Sequence, residues 1–458
     1  MTHTFVPQIV PGSFASGLFP FEDSTEEQVN RILQAKYARD RRWDLNGRLI
    51  ARSLLAPGCP ACRAVAEFGN RDLGFLLHER VNDPESVVRL IEARGLCRAH
   101  AARLRQLDEV TYGDQLKEVL IYGHLVEALR RHLASGQPLP DALRPVQSCP
   151  ICELENAAVT AVLPWLVDGV AVPEIRVHLA DGDGLCLDHL AAARTHYLGR
   201  ESSLWEFPRL TLVATRQAIA AGRTIDGDLA RRVSVLLGGG WPGDAASLPR
   251  SPTCAVCREV AEVERDALAL FAFGAEESSA MAGDELPCGV HVRSLQSMLA
   301  RRPWPVDLVA RLLYQADRRL HTSEHSIPDS VLSRLPIPRW RARKLTAPAD
   351  AVGCPVCQAI RSAEARLLAR PGKGLAETTC VRHLRGLTEN DWQRGKEMTP
   401  SLMLRLNHLS ERLEGTIHTL PESRAAWRSH LAGCSDDLVN FFVPVWEPPQ
   451  DNRQPACP

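Results

Sequence analysis

Sixteen side chains of this 458-residue chain fall into one recurring pattern of sulfur and imidazole. Cys59-Pro60-Ala61-Cys62 is followed by Cys97-Arg98-Ala99-His100, and Cys149-Pro150-Ile151-Cys152 by Cys186-Leu187-Asp188-His189. Cys254-Ala255-Val256-Cys257 is followed by Cys288-Gly289-Val290-His291, and Cys354-Pro355-Val356-Cys357 by Cys380-Val381-Arg382-His383. Each CxxC with the CxxH after it offers three thiolates and one imidazole, the donor set of a closed tetrahedral zinc site. The expectation is four such quartets: Cys59, Cys62, Cys97 and His100; Cys149, Cys152, Cys186 and His189; Cys254, Cys257, Cys288 and His291; Cys354, Cys357, Cys380 and His383.

The spacings suit that chemistry. A CxxC turn lets two sulfurs face one ion, and proline after the first Cys restricts the turn in three of the four cases. CxxH at a helix start puts both donors on one face, because i and i+3 are neighbours. Four protein donors leave no position for water or substrate, so the expected role of each Zn2+ is structural. Iron–sulfur ligation by the same set is conceivable, but zinc is commoner and needs no cluster assembly. A structural zinc supplies on the order of 10 kcal/mol of apparent folding free energy, a large gain for a helical unit with a modest core.

Other sulfur chemistries compete. A disulfide framework would suit a secreted protein, yet a histidine recurs at the same place in every unit. Thiol–disulfide exchange would use Cys59 and Cys62, or Cys149 and Cys152, at a helix N-terminus. A redox sensor that ejects zinc on oxidation is a milder variant. Cys434 and Cys457 stand outside the pattern.

The positioning elements read as helices. Aromatic residues are only 5% of the chain, and Leu, Ala and Arg are abundant, a balance favouring helix over strand. Ser24 with Glu27 forms a capping box ahead of a long helix over about 25–55, broken near Asn46-Gly47. Helices are expected over 63–77, 97–107, 114–133 and 153–167, with Gly136 in the C-terminal cap position. The stretch 174–179 alternates polar and apolar and reads as one short strand. The CxxC openings lie 90, 105 and 100 residues apart, counted through Cys59, Cys149, Cys254 and Cys354, which is an internal repeat. The gap between the two motifs shortens from 34 to 33, 30 and 22 residues. The expected fold is mainly α, four tandem zinc-stapled helical units. Their expected bounds are 24–140, 141–240, 241–338 and 339–442, after an irregular arm over 1–23 and before a disordered tail over 443–458.

The motifs of the first two units, Cys59-Pro60-Ala61-Cys62 with Gly95-Leu96-Cys97-Arg98-Ala99-His100 and Cys149-Pro150-Ile151-Cys152 with Gly184-Leu185-Cys186-Leu187-Asp188-His189, invite a comparison. They resemble a family of small, helical bacterial metal-binding proteins of unknown function that open with CPxC and continue with GFCxxH or GLCxxH. The third and fourth units depart from the GLCxxH form. The resemblance implies metal binding and carries no activity.

Bulk charge excludes little. The net charge is −1, so no global field draws the chain to nucleic acid or anionic membrane. A local basic excess over 301–344 holds Arg301, Arg302, Arg311, Arg318, Arg319, Arg339, Arg341, Arg343 and Lys344 beside Trp304 and Trp340; Arg41, Arg42 and Arg48 flank Trp43. Such patches could track phosphates, or be solvated helix faces. Asp181-Gly182-Asp183-Gly184 superficially suggests a calcium loop but lacks the later ligands. No P-loop, GxGxxG, GxSxG or HExxH motif is present. Met1 to Phe19 lacks the form of a secretory signal, and no window reads as a transmembrane helix, so the expected compartment is the cytoplasm. The expected function is a non-enzymatic scaffold or adaptor for partner proteins, without membrane or small-molecule substrate. The alternatives are a nucleic-acid-binding regulator using 301–344, and a redox-sensing zinc protein.

Overall fold

In the computed structural model, every regular α or β element among the described residues is a helix. The structure describes residues 23–39, 45–113, 115–196, 204, 206–221, 227–238, 254–273, 287–299, 304–305, 308–314, 316–317, 354–369, 379–389, 391–418 and 424–443. The first part holds α1 (Asp23–Arg39), α2 (Leu45–Leu54), α3 (Pro60–His78), α4 (Pro84–Ala93), α5 (Arg98–Thr111), α6 (Leu116–Ala134) and α7 (Leu139–Leu143). Then come α8 (Pro150–Gly169), α9 (Pro173–Asp181), α10 (Leu187–His196), α11 (Glu206–Ala220) and α12 (Gly227–Gly238). The last part holds α13 (Ala255–Phe273), α14 (Gly289–Leu299), α15 (Pro355–Ala369), α16 (Val381–Thr388), α17 (Trp392–His418) and α18 (Arg424–Phe442).

The mainly-α expectation stands, with local corrections. Residues 174–179 lie in α9, not in a strand. Pro173 sits in its first turn and Val172 precedes it, so the segment starts as a helix does. Its buried residues, Ile175 and Leu179, are four apart, which is helical rather than strand spacing. The expected helix over about 25–55 is described as α1 and α2, with residues 40–44 outside the described residues; Asn46 and Gly47, near the expected break, fall in the first turn of α2. Gly47 lies inside α2, where a Cβ would collide with the Tyr37 hydroxyl, so the glycine permits a close approach of α1 to α2. Gly136 has φ +82° and its N–H donates to the Leu133 carbonyl at 3.0 Å, the cap expected of it. Of the expected arm over 1–23 all but Asp23, of the expected tail over 443–458 all but Val443, and the expected unit boundaries at 240–241 and 338–339 lie outside the described residues.

The helices that open with CxxC lie in pairs. α3 packs along α8, and α13 along α15. Two cores result. One runs from α1 and α2 through the front of α3 and the back of α8 to α9–α15, and includes Ile32, Ile50, Val162, Leu166, Leu236 and Ile360. The other joins the back of α3 with α4–α7, α16, α17 and α18, and includes Leu104, Tyr122, Leu125, Leu406 and Phe441. Both cores cross the expected unit boundaries. No single helix among the described residues is long and apolar enough to cross a membrane; α8 and α9 meet that test only together, bent by 107°.

Leu116, Val119, Leu120, Tyr122, Leu125, Leu129 and Leu133 make one apolar stripe in the α6 sequence, but Ile121 and Val126 are buried as well. The reason is that α17 and α18 cover the opposite side, and Tyr122 stacks on Phe442 with centroids 5.8 Å apart. A buried polar knot fixes this closure. Arg105 on α5 donates to Glu118 Oε2 at 3.0 Å, to Asp436 at 2.6 Å and to the Ser435 hydroxyl at 2.8 Å. Ser435 also donates to Glu118, and the Glu118 N–H donates to Asp108 at 2.8 Å.

Burial pushes the Glu118 carboxyl up to about 7, although Arg105 and Ser435 favour its charged form. The folded chain therefore holds this proton more tightly than the unfolded chain does. The group's contribution is fully present below its ordinary value and is lost as pH rises through about 7. Glu118→Gln removes that dependence. Denaturant melts of the two proteins are expected to shift in favour of the variant by about 1 kcal/mol between pH 6 and pH 8.

Candidate metal centres

All eight motifs sit at helix N-termini. α3, α5, α8, α10, α13, α14, α15 and α16 each begin on the residue immediately after the first Cys of a motif. Cys59, Cys97, Cys149 and Cys380 are N-cap residues with extended or near-extended backbone. The second donor of each motif then falls in the first helical turn, on the same face. Pro60, Pro150 and Pro355 occupy the first helical position, where a missing N–H costs nothing. This placement serves the sulfur charge: free amides point at the thiolates, and the positive end of the helix dipole favours them. The N–H of Cys257 lies 3.4 Å from Cys254 Sγ, and that of Cys357 the same from Cys354 Sγ.

The sixteen expected ligands form four quartets, but not the expected ones. Cys59 and Cys62 meet Cys186 and His189; Cys149 and Cys152 meet Cys97 and His100. Cys254 and Cys257 meet Cys380 and His383; Cys354 and Cys357 meet Cys288 and His291. The expectation that each CxxC closes with the next CxxH in sequence is therefore corrected. The motifs exchange reciprocally, first unit with second and third with fourth. The physical reason is the side-by-side pairing of the CxxC helices: each CxxH is delivered to the N-terminus of the neighbouring unit's helix rather than its own.

The donor geometry suits a small tetrahedral ion. A zinc tetrahedron with ordinary bond lengths has edges of about 3.8 Å between sulfurs and about 3.6 Å between sulfur and nitrogen. Here Cys62 and Cys186 are 3.8 Å apart, Cys97 and Cys152 3.6 Å, Cys257 and Cys380 3.7 Å, and Cys288 and Cys357 3.7 Å. His189 Nδ1 lies 3.7, 3.3 and 3.2 Å from Cys59, Cys62 and Cys186. His100 Nδ1 lies 3.1, 3.4 and 3.4 Å from Cys97, Cys149 and Cys152. His383 Nδ1 lies 3.4, 3.4 and 3.2 Å from Cys254, Cys257 and Cys380. His291 Nδ1 lies 3.3, 3.3 and 3.5 Å from Cys288, Cys354 and Cys357. The cysteines in these quartets are free thiols rather than disulfides, and all four Cys3His groups could hold metal ions.

Proton chemistry points the same way. In the Cys59 centre, hydrogen bonds from Cys59 and Cys62 pull the Cys186 thiol well down, while its neighbours hold Cys62 well up. Cys254 and Cys288 are likewise pulled down, and Cys380 and Cys357 held up, by the sulfurs around them. Burial opposes a charged imidazole, yet the thiolates raise His291 to about 10 and His383 to about 11. A divalent cation allows all three sulfurs to ionise and the ring nitrogen to be neutral.

The ring nitrogens remote from the sulfurs are also held. His100 Nε2 lies 3.1 Å from Glu155, whose other oxygen accepts from Arg103 at 2.6 Å. His383 Nε2 lies 3.0 Å from Glu364, which accepts from Arg382 at 2.9 Å. Burial works against both carboxylates, but the hydrogen bonds of the histidines and the charge of the arginines hold them below the ordinary range. A carboxylate there fixes the tautomer that presents Nδ1 to the ion and strengthens the ligand. Sequence reasoning missed these residues. The signal was present: Glu264 and Glu364 both follow the second Cys of their CxxC by seven positions. The equivalent position in the first unit is Gly69, where a Cβ would strike Glu155, so the glycine makes room for a carboxylate from α8.

Asp183, in the superficially calcium-like stretch, is a buried strut instead. It accepts from the Gly58 N–H at 2.6 Å and pairs with Arg231, tying the first CxxC turn to the second unit. Of the 301–344 patch, Arg311 is described, and it lies over the Phe271 ring at 4.7 Å and donates to the Phe271 carbonyl. Arg301, Arg302, Arg318, Arg319, Arg339, Arg341, Arg343, Lys344 and Trp340 lie outside the described residues, as do Arg41, Arg42 and Trp43. Arg48 pairs with Glu26. Cys434 is buried on α18, close to Arg412 and Thr416 of α17.

No family model, no curated protein and no solved structure matches this chain.

The reciprocal pairing makes a discriminating prediction. Cys59→Ser combined with Cys186→Ser damages one centre, whereas Cys59→Ser combined with Cys97→Ser damages two. Elemental analysis is expected to find one ion fewer than wild type in the first double variant and two fewer in the second. Pairing in sequence order would give the opposite result. Separately, Glu364→Gln is expected to weaken the Cys254 centre about 10–100-fold in a chelator competition.

Proposed function

We propose that the four centres hold structural Zn2+ and that the chain is a non-enzymatic helical scaffold that presents its surface to partner proteins. The observation carrying this reading is the reciprocal pairing of motifs. Each ion would use four protein donors drawn from two consecutive units, so its coordination shell is complete and its role is to join helices. Zinc is favoured by three sulfurs and one nitrogen at tetrahedral spacing. Thiolate centres suit a reducing compartment, in keeping with a cytoplasmic protein. The motif likeness to small bacterial metal-binding proteins supports the same chemistry. Exposed apolar side chains, Leu210 and Val213 on α11 and Leu270 and Phe273 on α13, are of the type that protein partners cover.

The test has two parts. Purified chain is expected to carry about four zinc ions, as the sum of four Cys3His sites requires, and to lose cooperative melting when they are stripped. Capture from native lysate is expected to enrich a discrete protein partner with zinc-loaded chain and not with stripped chain. A turnover activity in the purified chain, with no partner enriched, would overturn the scaffold reading.

A further inference from the structure

The four centres are not equivalent in burial or in support. In the Cys59 and Cys254 centres all four donors are buried; in the Cys97 and Cys288 centres the CxxH cysteine is partly exposed. Ligand exchange at a closed zinc site starts where an incoming donor can reach a sulfur, so the second pair has an entry point that the first pair lacks.

The two open centres differ in turn at the imidazole. In the Cys97 centre, Glu155 is 3.1 Å from His100 Nε2 and is itself anchored by Arg103. In the Cys288 centre, Glu264 stands 3.6 Å from His291 Nε2, beyond hydrogen-bond distance. His291 Nε2 is buried and has no hydrogen-bond partner among the described residues. The same Glu264 oxygen accepts from the Ser294 hydroxyl in a long contact of 3.5 Å. A metal-bound histidine without a carboxylate on its second nitrogen is a weaker ligand by about 10–100-fold. Two independent features, an accessible sulfur and an unsupported imidazole, thus coincide at one centre.

We infer that the centre formed by Cys288, His291, Cys354 and Cys357 is an exchangeable metal site, able to pass its ion to a small soft chelating ligand while the other three keep theirs. This inference rests on the zinc reading above. Its structural consequence is local. Loss of that ion unties the start of α14 from the start of α15. The Cys254 centre still ties α13 to α16, and α13 still packs along α15. The third and fourth units would loosen without separating. A partner surface involving α14 or its neighbours would then respond to the supply of metal.

The experiment uses the full zinc-loaded chain, with metal content measured first so that failure of the zinc reading is seen separately. Zinc transfer to 4-(2-pyridylazo)resorcinol is followed in time, and thiols freed at each time point are alkylated and assigned by mass spectrometry. The expected result is one ion leaving at least about 10-fold faster than the other three, with Cys288, Cys354 and Cys357 labelled in that phase. Glu155→Gln is expected to add a second fast ion, with Cys97, Cys149 and Cys152 labelled. Four ions leaving in a single phase, or a fast phase that labels any other trio in the wild-type chain, would overturn the inference. So would a Glu155→Gln chain that still releases only one fast ion.

Discussion

The constraint on which this structure depends is negative charge held at helix N-termini. Three thiolates within van der Waals contact repel one another and carry a high desolvation cost. Here each trio lies where two helices begin, so unpaired backbone amides and two helix dipoles face it. Three thiolates with one divalent cation would carry a net charge of −1. Arg103 near His100, and Arg382 and Arg405 near the Cys254 centre, complement it. With these partners in place the sulfurs can be buried; without them, three adjacent thiols would be mediocre core residues.

Everything larger follows from how the helix starts are paired. A CxxC helix and the CxxH helix of the same unit point their N-termini at different centres. The unit is therefore not closed on itself; it is closed by its neighbour, which it closes in return. α3 with α8, and α13 with α15, form two related pairs built on this exchange. The carboxylates follow the same logic in the second pair, where Glu364 stands on the helix carrying Cys354 and Cys357 but supports His383 of the other centre. α15 thus serves both centres of its pair, one through its cysteines and the other through Glu364. Closure at the chain level is done differently, by apolar packing of α17 and α18 on α6 and by the Arg105, Glu118 and Ser435 knot.

Local signals in the sequence were reliable where a local cause was sufficient. Pro after the first Cys and Gly136 at a helix end both report on a few neighbouring residues, and the structure agrees with each. They misled where one residue has two possible causes. Gly47 reads as a helix break, but its lack of a Cβ serves contact with Tyr37. Residues 174–179 alternate like a strand, yet Pro173 at the first helical position and the i, i+4 pair Ile175 and Leu179 settle them as helix. Glu155 carries no sequence mark, because its partner His100 lies 55 residues away in the chain.

The sequence alone determined the donor set, the helical class and the position of every motif at a helix start. Those follow from residue type and from spacings of three, which a single helical turn enforces. Tertiary structure decided which motif answers which. The CxxH that follows a CxxC in sequence and the one that reaches it in space offer identical donors, so no property of the motifs distinguishes them. The choice is made by the packing of α3 on α8 and of α13 on α15, which is a property of whole helix faces.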